Sequence, residues 1–258
     1  MKYYTHLVII LLLLTCCIVT NGQAKVYTAG NAHAHNDYLN KRPFYDAYNN
    51  GFGSIEADVF PREGKLLVAH SKNEINPAKT LIQLYLIPLY TEMTSGKRRN
   101  IILLIDIKED YKKTLALLSN ELEPLKPFLS IDHTAKAITI IISGERPPPG
   151  EFGEYPLFIF FDSDLEHKYS EKAWERVALV SLPFNKLSPW KGDKEPAENE
   201  LEAVRKLVDS VHLAGKAIRF WAAPDNALSW KWQQALKVDL IGTDKISELS
   251  TFLKKEDD

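Results

Sequence analysis

Residues 100–108, NIILLIDIK, are apolar almost without a break. A strand with one wet face would alternate apolar and polar residues, so so continuous a run is expected in a parallel sheet covered on both sides. Seven further segments have the composition of core strands, beginning at 26, 54, 137, 157, 176, 216 and 239. Between them lie helix-like stretches at 43–51, 80–93 with a break expected at Pro88, 110–125 with Asp110 near its cap, 197–215 and 229–238. Alternation of this kind predicts an α/β fold, a (β/α)8 TIM barrel. KLLVAH, 65–70, reads as an extra strand after the second, and the crossover that follows the fifth core strand is short.

The barrel occupies residues 25–258 in this reading. Residues 1–24 begin Met1-Lys2, continue through LVIILLLLTCCIVT and reach small residues at NGQA, the order of a secretory signal peptide. Cleavage is expected near Gly22 or Ala24, with export to the periplasm or the extracellular space. Lipid anchoring through Cys16 or Cys17 and an uncleaved membrane anchor are the alternatives. Those two cysteines are the only ones in the chain, so the mature protein would have neither a disulfide nor a thiol nucleophile. A net charge of -2, more negative by one once Lys2 is lost, offers no basic footprint for nucleic acid. A small anionic substrate needs only a local positive centre, and a monomer suffices to hold it.

In a barrel, chemistry gathers where the strands end. The expected strand ends deliver His33 and His35, Glu56 and Asp58, His70 after the hairpin, Asp106 and Lys108, Trp221, and Asp244. Residues two apart in a strand share a face, so Glu56 with Asp58, and Asp106 with Lys108, can meet across one cavity. Three carboxylates converging without cysteine suit a hard divalent cation, Mg²⁺ or Ca²⁺. Singly, Glu56 and Asp58 also fit the solvated face of an edge strand, and Asp106 with Lys108 an ordinary ion pair. Their position directly after apolar runs, where charge needs partners, favours a site.

The pattern His, EAD at 56–58, VAH at 68–70 and DIK at 106–108 resembles the phosphodiesterase superfamily that contains glycerophosphodiester phosphodiesterases, phosphatidylinositol-specific phospholipases C (PI-PLC) and sphingomyelinase D type enzymes. The opening NAHAHNDY lacks the His-Arg-Gly of the first group and resembles a secreted branch opening H-x-H-N-D-Y. Asp106, where glycerophosphodiesterases carry glutamate, is closer to the sphingomyelinase D pattern. The resemblance implies metal-dependent cleavage of a phosphodiester, either a glycerophosphodiester or a phospholipid at a membrane surface. It implies acid and base work by His70 and by His33 or His35, of which the 21-residue spacing to Glu56 favours His35. Lys108 would hold the phosphate, Asn36 and Asp37 would orient a histidine or approach the metal, Tyr38 would close one side, and Trp221 would line the leaving-group side.

Two rival readings stand beside this one. A zinc amidohydrolase would also use HAH and Asp244, but it needs further histidines after the middle strands, and His133, His167 and His212 are poorly placed for that. A binding barrel without catalysis would use tryptophans such as Trp190, Trp221, Trp230 and Trp232 as platforms. A glycosidase would leave both histidines and Lys108 unexplained.

Overall fold

The computed structural model describes residues 25–96, 98–132 and 138–254; the expected leader with Cys16 and Cys17, and His133, lie outside the described residues. Among the described residues no helix is long and apolar enough to cross a membrane.

Among the described residues nine strands form one sheet: β1 (Ala32–Ala34), β2 (Ser54–Arg62), β3 (Lys65–Val68), β4 (Ile101–Ile107), β5 (Ile138–Gly144), β6 (Ile159–Ser163), β7 (Val177–Pro183), β8 (Ala217–Trp221) and β9 (Ile241–Thr243). Eight of them run parallel in the order β8-β7-β6-β5-β4-β2-β1-β9, and β3 folds back antiparallel onto β2. The ends of that order nearly meet, through a bridge from Arg219 to Leu240 and the Asp239 amide on the Ile218 carbonyl at 3.0 Å. The sheet is therefore a nearly closed barrel, as the alternation predicted.

Helices α1 (Tyr45–Asn49), α2 (Ile87–Thr94), α3 (Tyr111–Glu121), α4 (Glu171–Glu175), α5 (Glu202–Leu213), α6 (Ala227–Ala235) and α7 (Ile246–Lys254) connect the strands. The outward side chains Ile55, Ala57, Val59, Leu103, Ile105, Ile140 and Ile142 pack with Leu89, Met93, Leu115, Leu118, Leu249 and Leu253 from the helices in one buried cluster. Both faces of β4 are covered, which explains its unbroken apolar sequence. Inside the barrel, Leu104, Ile141, Phe160, Leu179 and Leu240 fill the bottom.

Asp110 caps α3 by accepting the Lys113 amide at 3.1 Å. The break near Pro88 is a π-turn over Ile82–Leu86 that precedes α2, because proline has no N–H to continue the α ladder. The short crossover is also present: α4, between β6 and β7, has only five residues.

One boundary differs. The expected strand beginning at Val26 is not formed; Thr28 instead caps a 3₁₀ turn at Ala29–Asn31, its hydroxyl accepting the Gly30 amide at 3.2 Å. Val26 stays exposed, and the first barrel strand is the Ala-His-Ala segment itself. An isolated β-like pentapeptide cannot compete when local side-chain bonds offer the backbone a turn.

Candidate active site

A cavity of about 550 Å³ opens at the carboxyl ends of the strands. It is lined by His35, Glu56, His70, Asp106, Lys108 and Trp221 from the expected set, together with Arg146, Asp162, Ser181 and Arg219. Parallel pairing sets the heights: His33 is level with Ser54, and Asp58 with Asp106.

Glu56, Asp58 and Asp106 each offer one oxygen, all within 4.8 Å of one another, and they are the candidate ion-holding group among the described residues. Lys108 Nζ lies 2.8 Å from Asp58 and 3.2 Å from Asp106. Tyr38 donates to Asp58 at 2.8 Å and closes that side. Burial, then the charge of Glu56, raises Asp106 to about 6 against the pull of Lys108. Burial also raises Asp58. Glu56 behaves differently, because Arg219 and His33 outweigh its burial and hold it well below the carboxylate range. Crowded oxygen donors whose charges repel are the donor set that Mg²⁺ or Ca²⁺ would fit.

Gly144 ends β5 with φ +71, and a Cβ there would collide with Asp106 Oδ1 and the Ile107 carbonyl. Only glycine lets the Asp106 carboxylate approach that backbone.

The two opening histidines separate. His33 has no exposed surface; its Nδ1 lies 2.8 Å from Ser54 Oγ and its Nε2 2.7 Å from Glu56. Burial, then the Arg219 charge, lowers it to about 4, so it is neutral. His35 sits at the rim with Nδ1 2.8 Å from Asp244. Burial pulls His35 down, but the bond to Asp244 and the charge of Glu56 raise it overall. His70 reaches the rim from the end of β3, with Nδ1 3.3 Å from Asp58.

Asn36 takes a left-handed backbone, φ 48, and its amide turns back onto Asp244 at 3.3 Å and His35 at 3.0 Å. Asn36 thus lies against the His35–Asp244 pair. Asp37 does not reach the cavity: it is fully buried behind the rim, where it accepts the Phe44 amide at 2.5 Å. The 3₁₀ turn at Asp37–Leu39 points successive side chains in different directions, so Tyr38 faces the site and Asp37 the core.

Arg219 was not among the expected residues. It lies two before Trp221 in β8, so strand parity alone puts both on the inner face. Its Nε donates to Ser181 at 2.8 Å and its Nη1 to Glu56 at 2.6 Å. Asp162 and Arg146 were likewise missed; they form an ion pair at 3.3 Å on the cavity wall, and Asp162 accepts the Ser143 hydroxyl at 2.6 Å.

The barrel is of the type found in the glycerophosphodiester phosphodiesterases and phospholipases C. A glycerophosphodiester phosphodiesterase from Parabacteroides distasonis superposes with a TM-score of 0.55 at 14% identity, covering 88% of this chain and 98% of that one. L. pealei PLC21 superposes with a TM-score of 0.50 at 10% identity, over 87% of this chain and 34% of its own. Residues 23–100 match the family model of the AIM6-like phosphodiesterase domain. Altered inheritance of mitochondria protein 6 of Kluyveromyces lactis is 25% identical over 86% of this chain and 72% of its own length. The homologous protein of Arthroderma benhamiae is 28% identical over 74% and 72%. The family model and the shape together support the superfamily resemblance read from the motifs.

Proposed function

We propose that this chain is a phosphoric diester hydrolase dependent on a divalent cation, acting on a small glycerophosphodiester or a phospholipid-like ester. The observation that carries this reading is the meeting of His35, His70, Lys108, Glu56 and Asp106 on one cavity, with an Asp58 oxygen within 4.8 Å of those of Glu56 and Asp106.

Glu56, Asp58 and Asp106 would hold the Mg²⁺ or Ca²⁺, which supplies neutralisation of charge on the phosphoryl group. Lys108 adds a fixed positive charge beside it. Asp244 fixes the His35 ring through Nδ1, which leaves Nε2 for the substrate and favours the protonated ring. His35 is therefore suited to give a proton to the leaving oxygen. His70, at the opposite end of the carboxylate group, takes the proton from the attacking oxygen, either of water or of a substrate hydroxyl that would form a cyclic phosphate for water then to open. His33 touches no substrate in this scheme; it positions Glu56 from below. Trp221, half-exposed at the mouth, lines the leaving-group side.

The test is hydrolysis of glycerophosphocholine, glycerophosphoinositol, lysophospholipids and bis(p-nitrophenyl) phosphate, first in EDTA and then with Mg²⁺, Ca²⁺ or Zn²⁺ added. Activity lost in EDTA and restored by Mg²⁺ or Ca²⁺ is the expected result. Silence on every diester, with no cation bound at Glu56 and Asp58, would sink the reading.

A further inference from the structure

Arg219 is a buried guanidinium two residues along β8 from Ala217, which packs on the apolar cluster of Leu104, Ile141 and Phe160. β8 sets Ala217, Arg219 and Trp221 on one face: Ala217 packs on the apolar bottom and Trp221 lines the mouth. Arg219 stands between them, level with Ser181 on β7. Apolar residues in place of both Arg219 and Glu56 would fill the barrel at least as well, since exchanging a whole buried ion pair for apolar groups is often neutral or stabilising. Packing alone does not explain the charge.

The hydrogen bonds of Arg219 are one-sided. Nε is taken by Ser181, and Nη1 by Glu56 with His33 Nε2 alongside. Nη2 has no hydrogen-bond partner among the described residues, although the side chain is almost wholly buried and lines the cavity. A guanidinium donates five hydrogen bonds in a flat fork, so the two N–H groups of Nη2 remain for something that enters.

Charge complementarity identifies the class of that ligand. Within the group, Glu56, Asp58 and Asp106 face two fixed cations, Lys108 and Arg219. One negative charge is left over. A divalent cation reverses that sign within the group and matches the single negative charge of a phosphodiester; without Arg219 these groups and the cation would sum to zero.

We propose that Arg219 is a phosphate-binding residue of this site, its Nη2 donating to a non-bridging oxygen of the diester from the cavity floor while Lys108 acts from the rim. The inference rests on the hydrolase reading above and adds a residue to it. Arg219 thereby does two jobs, holding the Glu56 carboxylate in place and receiving the anion.

The test is calorimetric titration of the full chain with dimethyl phosphate at saturating Mg²⁺ or Ca²⁺, for the wild type, Arg219→Gln and Arg219→Lys. Arg219→Gln is expected to weaken dimethyl phosphate about tenfold to a hundredfold, the range of a hydrogen bond to a charged group. Arg219→Lys is expected to recover part of that loss. Cation affinity measured without the anion should hold or rise in Arg219→Gln, because a neighbouring positive charge is gone. Thermal melting checks that the variants fold; if Arg219→Gln does not, Ser181→Ala, which removes only the acceptor of Nε, replaces it with a smaller expected loss. Wild-type affinity for dimethyl phosphate in the folded Arg219→Gln protein overturns the inference and leaves the hydrolase reading standing. A wild type that neither binds dimethyl phosphate nor cleaves any diester removes both.

Discussion

The bottom and the top of the barrel interior are built from the same strands, two residues apart. On β4 the step is from Leu104 to Asp106, on β5 from Ile141 to Ser143, on β6 from Phe160 to Asp162, on β7 from Leu179 to Ser181, and on β8 from Ala217 to Arg219. The lower residues need only contact with one another. Those above are charged or hydroxylic, and Asp106 meets Lys108, Asp162 meets Ser143 and Arg146, and Arg219 meets Glu56 and Ser181. Burial of apolar surface stabilises the first layer by itself, whereas each group of the second is costly without its partner. Stability should therefore reside below and chemistry above.

The largest expected effect is at the rim. His70→Ala should lower diester hydrolysis by about 10²–10⁴-fold, the usual share of a general acid or base, while leaving the thermal midpoint almost unchanged. Activity within a few-fold of wild type would break the division between layers at its most exposed member.

Below, the signs reverse. Leu104→Ala should cost about 2–5 kcal/mol in urea unfolding by leaving a cavity in the barrel bottom, with turnover per folded molecule hardly altered. A large loss of turnover at preserved stability would show that the floor also controls the site.

Asp37 belongs to neither layer and sharpens the comparison from outside. Burial raises it from 3.8 to about 6 in the folded chain, despite the Phe44 amide. The folded protein thus keeps a proton that the unfolded chain gives up, so this group lowers stability as pH rises from about 4 to about 6 and leaves it lower above that range. Asp37→Asn should flatten that part of the stability profile and gain about 3 kcal/mol at pH 7.5, measured by urea unfolding against pH. An unchanged slope would mean that the carboxyl is ionised in the fold.

Much of the site was legible in the chain. EAD, DIK and VAH place charged residues directly after apolar runs, and period-two parity brings Glu56, Asp58, Asp106 and Lys108 to one side. Parity also contained Arg219, through Trp221, yet an arginine inside an apolar strand segment is read more readily as an outward residue. Asp37 was misplaced because a 3₁₀ turn has no two-residue alternation to follow. Spacing to Glu56 favoured His35 over His33, but both are inward by parity, and it is depth that separates the buried His33 from the rim His35.

The sequence by itself determined the alternation of strand and helix, hence the barrel, and the kinds of groups carried to the ends of its strands. These follow from local periodicity, which is written in neighbouring residues. Tertiary structure decided which groups meet. Glu56 and Arg219 are 163 residues apart, and His35 and Asp244 209, and each pair forms only because eight parallel strands settle into one register and nearly close. That register buries His33 under Glu56 and leaves His35 at the rim, a distinction of height along the strand that no alternating pattern records.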